Sequence, residues 1–434
     1  MRFAFFVKLL FALPLWALAQ GPQLAEARRI IDTLCRLDGR GYVDSADWRA
    51  ARFIAGYVQH AGLLPLGSGY YQPFPVSVNT FPGPVALTID DRELQAGRDF
   101  LVDPASPSLK GTYLLQVANL TGSDTSLQAL EPLIRSLLKG KPRALLLERN
   151  RLTDKQYDLL REVLLNARTR VAVVLEVRSG KLTWHVANRQ QPPAWLVLAE
   201  KAVPSKPRRI KISISAQFKP NYLTCNVAAY VPGRSVADSF VVFTAHYDHL
   251  GCLGPSVCFP GANDNASGVS LLLQLAAYYA KNPSRYSMAF LFFGAEELGL
   301  LGSRYFIANP LLPMESIRFL INLDIVGTGD EGIKVVNASV HTGAFQQLVD
   351  LNERLATLPA VLPRGPAANS DHFPFYQRGV PCFFIYTLGG IAAYHDIYDR
   401  SETLPLTEYA DLFRLLVAFA AQLSRDAVPS DEGH

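Results

Sequence analysis

From about residue 219 onward, short apolar runs alternate with longer amphipathic ones, and this alternation restricts the fold more than any other feature of the chain. The runs Ser239 to Ala245, Met288 to Phe293, Ile317 to Leu323 and Pro381 to Tyr386 have strand length and strand composition. Between and after them, Ser267 to Ala280, Ser303 to Ala308, Gly343 to Ala356 and Leu406 to Ser424 have helical spacing. Strands separated by helices can pair side by side only through crossovers, which makes the sheet parallel and covers both of its faces. The predicted class is therefore α/β: a doubly wound, mainly parallel sheet with helices on both faces.

The preceding part of the chain has a different texture. Residues 23 to 63 are predicted helical, with Ile30, Ile31, Leu34 and Leu37, then Ala51, Ile54, Ala55 and Val58, at helical spacing on either side of the Gly39-Arg40-Gly41 turn. From Val85 to Phe218 short strands dominate, among them Ala144 to Leu147 and Val171 to Leu175, with one helix from Asp154 to Asn166. Metal-binding residue types do not cluster there, and His185 stands alone. The block reads as an inserted, smaller domain of α+β or β type that bounds a cleft without supplying a metal ligand. The expected division is residues 20–84 as the helical start of the main domain, 85–218 as the insertion, 219–425 as the rest of the main domain, and 426–434 as a tail. With 434 residues and 49% apolar, the chain can bury two cores.

The first residues have the layout of a secretory signal peptide: Arg2 and Lys8, an apolar stretch from Leu9 to Leu18 broken by Pro14, and Ala17-Leu18-Ala19 before Gln20. Cleavage is predicted after Ala19. The apolar run falls short of the ~20 residues that span a bilayer, so no stable membrane anchor is expected. Loss of Arg2 and Lys8 lowers the Lys and Arg count from 42 to 40, against 38 Asp and Glu. Scattered charge of that size gives no phosphate-binding stripe, so nucleic acid is not an expected partner. The protein is expected to be secreted or periplasmic. All five cysteines lie after Ala19, and an oxidising compartment permits disulfides among them. Cys252 and Cys258 flank a loop with Gly254 and Pro255 that is able to turn the chain back, and both a disulfide and two buried thiols remain open.

Chemistry gathers where the strands stop. The first main-domain strand runs into Thr244-Ala245-His246-Tyr247-Asp248, the second into Gly294-Ala295-Glu296-Glu297, the third into Asn322-Leu323-Asp324, and the last leads through Gly389-Gly390 to Tyr394-His395. Gly261-Ala262-Asn263-Asp264-Asn265-Ala266-Ser267-Gly268 opens a helix between the first two. In open parallel sheets ligands bind at the carboxyl ends of strands. Singly, each of these groups is ordinary: a surface histidine, a solvated helix start, an Asx turn. Together they form a rim of carboxylates that repel one another unless cations hold them. Imidazole and carboxylate without thiolate suit zinc best, with manganese or cobalt as substitutes.

These motifs resemble those of the co-catalytic dizinc aminopeptidases, a family whose relatives include glutamate carboxypeptidases, glutaminyl cyclases and the zinc-free transferrin receptor. The resemblance spans Asn226 to about Leu404 and rests on His-x-Asp, Gly-Ala-Asn-Asp-Asn-Ala-Ser-Gly and Glu-Glu in that order; the inserted block looks like a protease-associated domain. It implies two zinc ions per chain, one held by His246, Asp264 and Asp324, the other by Asp264, Glu297 and His395. Glu296 would be the general base, Asp248 the carboxylate that orients the His246 imidazole, and Tyr394 a phenol stabilising the oxyanion. The run Ser370-Asp371-His372 also matches a segment near the pocket, and Asp371 or His372 has either a direct role or a bracing one. His249 is expected beside the metals rather than on them. The implied activity is removal of N-terminal residues from peptides. Glutaminyl cyclization, carboxypeptidase or dipeptidase activity, and a non-catalytic receptor-like module are the alternatives. Arg304, Arg364, Arg378 and Arg400 are candidates for holding a terminal carboxylate.

Overall fold

The computed structural model describes residues 15–118, 127–166 and 169–424. The predicted signal segment falls largely outside the described residues, and so does the tail. Leu15–Cys35 is helical. Among the described residues no helix is long and apolar enough to cross a membrane.

The main sheet has nine strands among the described residues. At its centre Tyr286–Phe293, Val236–His246, Ile317–Leu323 and Cys382–Thr387 lie side by side and parallel. Their apolar sequences follow from burial on both faces; every residue of Tyr286–Phe293 is buried. The flanks are antiparallel: Gln217–Val231 pairs with Tyr286–Phe293 and with Tyr71–Thr80, and Ile333–Val336 pairs with Cys382–Thr387. Antiparallel edges on a parallel centre are common in doubly wound folds. Gly268–Lys281 and Tyr409–Leu423 bury their apolar residues with the N-terminal helices Leu15–Cys35 and Ala46–His60 in one large core. Leu301–Ala308 and His372–Tyr376 pack in another cluster, through Phe306 and Phe375.

Register decides where the strand ends meet. His246 pairs with Phe293, and Thr244 with Asn322. The residues that follow, Gly294 to Glu297 and Asp324, therefore leave the sheet on the same edge as His246.

Among the described residues, the strands of the block 85–214 form a second, eight-stranded sheet, mixed in direction, with Leu109–Val117, Arg143–Glu148, Val171–Arg178 and Ala194–Ala199 parallel at its centre. The helix Asp154–Asn166 has its predicted span. Strand Gln217–Val231 already belongs to the main sheet. The core of the second sheet includes Leu250, Leu253 and Phe259 from the main-domain loop after His246. That loop is closed by a disulfide between Cys252 and Cys258.

Candidate metal centre

The loop after His246 and the turn containing Asp264 are shaped by four glycines. Gly39 and Gly41 let the backbone pass against Gly251, where an added Cβ at either position would stand 2.5 Å from Gly251 atoms. Gly261 adopts φ +59, and a Cβ there would lie 2.2 Å from the Asp264 carbonyl. Close passage brings the buried Arg40 guanidinium under the turn. It donates to the carbonyls of Tyr247, Pro260, Gly261 and Asp264 at 2.6–3.1 Å. Asp399 acts from the other side, accepting the backbone N–H groups of Asn263 and Asp264 at 2.8 and 3.0 Å. Arg40 and Asp399 thus hold the main chain of Asp264 from opposite ends of the sequence.

The side chain of Asp264 faces two imidazoles. Its Oδ1 lies 3.3 Å from His246 Nε2, and its Oδ2 lies 3.0 Å from His395 Nε2. His246 Nε2 is also 3.2 Å from Asp324 Oδ1, and His395 Nε2 is 3.3 Å from Glu297 Oε2. The five predicted ligands therefore form two groups that share one carboxylate. Among the described residues, the ion-pair partners of Asp264, Glu297 and Asp324 are histidines, not Lys or Arg.

Charge balance gives a direct test of fit to a cation. Burial would lower the pKa of His395, but Glu297 and Asp264 outweigh it and push it up to about 11. His246 rises well above the usual range because Asp324 and Glu296 overcome the same desolvation. Burial would raise Asp264, yet hydrogen bonds from His246 and His395 hold it far below the carboxylate range. Glu297, against its own desolvation, falls to about 2 beside His395. Each group demands positive charge, and with protons alone the imidazoles must carry it. A divalent cation on either side of Asp264 supplies that charge and leaves the imidazoles neutral, so the residues fit a pair of such ions.

Glu296 differs from its neighbour. Burial pushes its carboxyl well above the usual range; His246 pulls it back in part, while Asp371, Glu297 and Asp324 raise it further. A carboxyl with a raised proton affinity beside a cation site suits proton transfer. Glu296 and Tyr394 line the same cavity of about 300 Å³ as the five predicted ligands. Tyr394 is 43% exposed and stacks on the His395 ring at 4.0 Å between centroids.

The other predicted residues surround this set. The Asp248 carboxylate lies 3.8 Å from His246 Nδ1, and that nitrogen is nearer the Asp248 backbone carbonyl, at 3.1 Å. The carboxylate also accepts the N–H groups of Glu296 and Glu297 and the Tyr42 hydroxyl. His249 is fully buried and lies beside the predicted ligands, with Nδ1 2.8 Å from Glu297 Oε1. At Ser370-Asp371-His372, the residue touching a predicted ligand is the serine: Thr244 donates to Asn322, Asn322 to Ser370, and Ser370 to Asp324 Oδ2 at 3.0 Å. Asp371 is pushed up to about 7, chiefly by burial, and His372 packs its ring against Phe384. Of the four arginines, Arg364 lines the cavity and donates to the Tyr386 hydroxyl. His185 does not stand alone: its Nδ1 is 3.2 Å from His395 Nδ1. A lone histidine in a block where ligand types do not cluster carried no signal of that contact.

The family model for Peptidase family M28 matches residues 226–420. The matched segment makes up a little under half of the chain. It carries all five predicted ligands and Glu296. Over 169 residues the chain is 32% identical to Aminopeptidase YwaD of Bacillus subtilis, covering 37% of this chain and 35% of that one. Over 227 residues it is 26% identical to Leucine aminopeptidase 1 of Coccidioides posadasii, covering 48% and 58%. The chain thus spans roughly a third to three fifths of the length of these two relatives. The likeness in fold runs much further than the M28 segment. A structure of BSAP, a zinc aminopeptidase from Bacillus subtilis, superposes with a TM-score of 0.67 at 19% identity, covering 94% of this chain and 96% of that one. A peptidase M28 precursor from Shewanella amazonensis gives 0.68 at 17% identity, covering 95% and 96%.

Proposed function

We propose that the protein is a zinc aminopeptidase that binds two zinc ions per chain, one through His246, Asp264 and Asp324 and the other through Asp264, Glu297 and His395. The observation that carries this reading is Asp264, whose two oxygens each face a different imidazole. Zinc bound in such a pair supplies Lewis-acid charge that polarises a peptide carbonyl and makes water more acidic. Glu296 takes the proton of the attacking water and returns it to the leaving amine, a task suited to a carboxyl with raised proton affinity. Tyr394, lining the same cavity, is the donor toward the developing oxyanion. Asp248 holds the Glu296-Glu297 backbone so that the two carboxylates keep separate tasks.

The cavity of about 300 Å³ lined by these residues falls at the low end of the range for small-ligand pockets. A neighbouring cavity of about 370 Å³ lies between residues of the block 85–218, such as Asp103, Arg189 and Trp195, and Glu297 to Gly299. It supports reading that block as a protease-associated-like domain that bounds the substrate cleft. The Cys252–Cys258 disulfide agrees with export to an oxidising compartment, as the signal-like N-terminus implies.

A panel of aminoacyl and carboxyl-blocked peptides tests the activity. The expected result is release of N-terminal residues, abolished by chelation and restored by zinc. Full hydrolysis after verified metal removal would exclude the reading. Arg364 favours a second one, recognition of a substrate carboxylate by a dipeptidase or carboxypeptidase, because its guanidinium borders the cavity. Faster cleavage of unblocked dipeptides than of their amides would select it.

A further inference from the structure

The segment that carries His395, residues 388–400, has neither helix nor strand. His395 itself sits at φ 52, in the left-handed region that residues with a Cβ avoid. Within the segment the Asp396 carboxylate accepts the Tyr398 and Asp399 backbone N–H groups, and further restraint comes from outside it.

The second sheet supplies that restraint. Between its strands Val171–Arg178 and Ala194–Ala199 runs a connection whose residues 181–185 lie along the His395 segment. Lys181 Nζ donates to the Ala392 carbonyl at 2.6 Å and pairs with Asp396 Oδ2 at 2.7 Å. The Trp184 backbone N–H donates to the His395 carbonyl at 2.8 Å. His185 Nδ1 meets His395 Nδ1 at 3.2 Å. The connection is itself anchored: the Trp184 indole donates to the Val102 carbonyl and stacks on Phe259 at 4.7 Å. Phe259 leads directly into Pro260 and Gly261, the start of the Asp264 turn.

We propose that residues 181–185 are a strap by which the second sheet builds the metal position of Glu297 and His395, with His185 as its positioning residue. The inference rests on the reading of His395 as a ligand. A nitrogen–nitrogen hydrogen bond needs one protonated and one bare ring atom. With His395 Nε2 turned to Asp264 and Glu297, the lone pair required by a metal sits on Nε2 and the proton on Nδ1. His395 Nδ1–H then donates to His185 Nδ1, whose own proton is on Nε2. A metal-bound imidazole ordinarily makes this bond to a carboxylate, a carbonyl or water; here a neutral imidazole from the other sheet accepts it. The Lys181 and Trp184 contacts fix the backbone, and the His185 contact fixes the ring.

The test is zinc binding to the full chain, titrated against a chromophoric chelator, in the wild type, His185→Ala, His185→Asn and Lys181→Met. The wild type should bind two zinc ions. His185→Ala should keep one at wild-type affinity and weaken the other about 10- to 100-fold, the range for loss of a partner behind a ligand. His185→Asn should recover most of that loss, because its side-chain oxygen stands near the position of Nδ1 and accepts the same proton. Lys181→Met, which leaves the ring contact intact, should weaken the same ion by a smaller factor and keeps the test available if the alanine variant does not fold. Two zinc ions at unchanged affinity in both His185→Ala and Lys181→Met would overturn the strap while leaving the proposed function standing. Equal weakening in His185→Ala and His185→Asn would overturn the positioning role of the ring. A wild type that binds no zinc would remove the functional reading beneath both.

Discussion

The carboxylate of Asp248 accepts the backbone N–H of Glu296 at 3.0 Å, with Glu297 N–H on its other oxygen at 3.3 Å and the Tyr42 hydroxyl at 3.2 Å. It therefore holds the turn that separates the two glutamates, and it also lies 3.8 Å from His246 Nδ1. Asp248→Ala leaves two amide donors without their acceptor, at a cost of about 1–3 kcal/mol. Both the denaturation midpoint and kcat should fall, since Glu296 loses its support. Tyr42→Phe removes one hydrogen bond and should cost less. A fall in zinc affinity with unchanged stability in Asp248→Ala would instead point to a role centred on His246.

The adjacent glutamates should separate by substitution. Glu296→Gln keeps shape and hydrogen bonding but cannot take a proton, so zinc content should persist while kcat drops roughly 10²- to 10⁴-fold. Glu297→Gln should weaken one zinc, because Glu297 is the carboxylate within 3.3 Å of His395 Nε2. Near-normal kcat in a fully loaded Glu296→Gln protein would rule out the proposed base.

Metal binding should release protons. In the metal-free site Glu297 and Asp264 hold His395 up to about 11, so its imidazole is charged at pH 7, and Asp324 and Glu296 shift His246 in the same direction. A cation must displace those protons, and its affinity therefore rises with pH and falls in acid. Calorimetric titrations of the metal-free protein with zinc, in buffers of different ionisation enthalpy, should show release of up to about two protons for the pair of ions. No proton release at pH 7 would contradict the charge balance described above.

Asp47 gives a pH effect remote from the predicted ligands. Burial raises its carboxyl to about 6, although the Tyr222 and Thr224 hydroxyls, at 2.6 and 2.9 Å, partly stabilise the anion. The folded-state value exceeds the unfolded value of about 3.9, so the fold favours the protonated form. Its contribution to stability is full below about pH 4 and is lost as pH rises through about 6. Compared with the wild type, Asp47→Asn should gain stability between pH 4 and pH 7, by at most about 2–3 kcal/mol, the linkage of a two-unit shift. Parallel denaturation curves measure the difference; a gap independent of pH would refute it.

What the sequence determined is local or periodic. Helical spacing gave Gly268–Lys281 and Thr342–Leu355 to within a residue, and the apolar run Ile317–Leu323 matched its strand end to end. Placement of candidate ligands at strand ends was also legible, because parallel strands in register bring those ends to one edge. Tertiary structure alone decided how the site is braced. Arg40 reaches the Asp264 carbonyl across 224 residues, His185 reaches His395 across 210, and Asp399 reaches Asn263 across 136. Such contacts leave no spacing signature, since they arise from the packing of two sheets and their connections. The bond from Ser370 to Asp324 was illegible for the same reason: residue type drew attention to Asp371 and His372, and only the packed chain determined which oxygen came within 3.0 Å of Asp324.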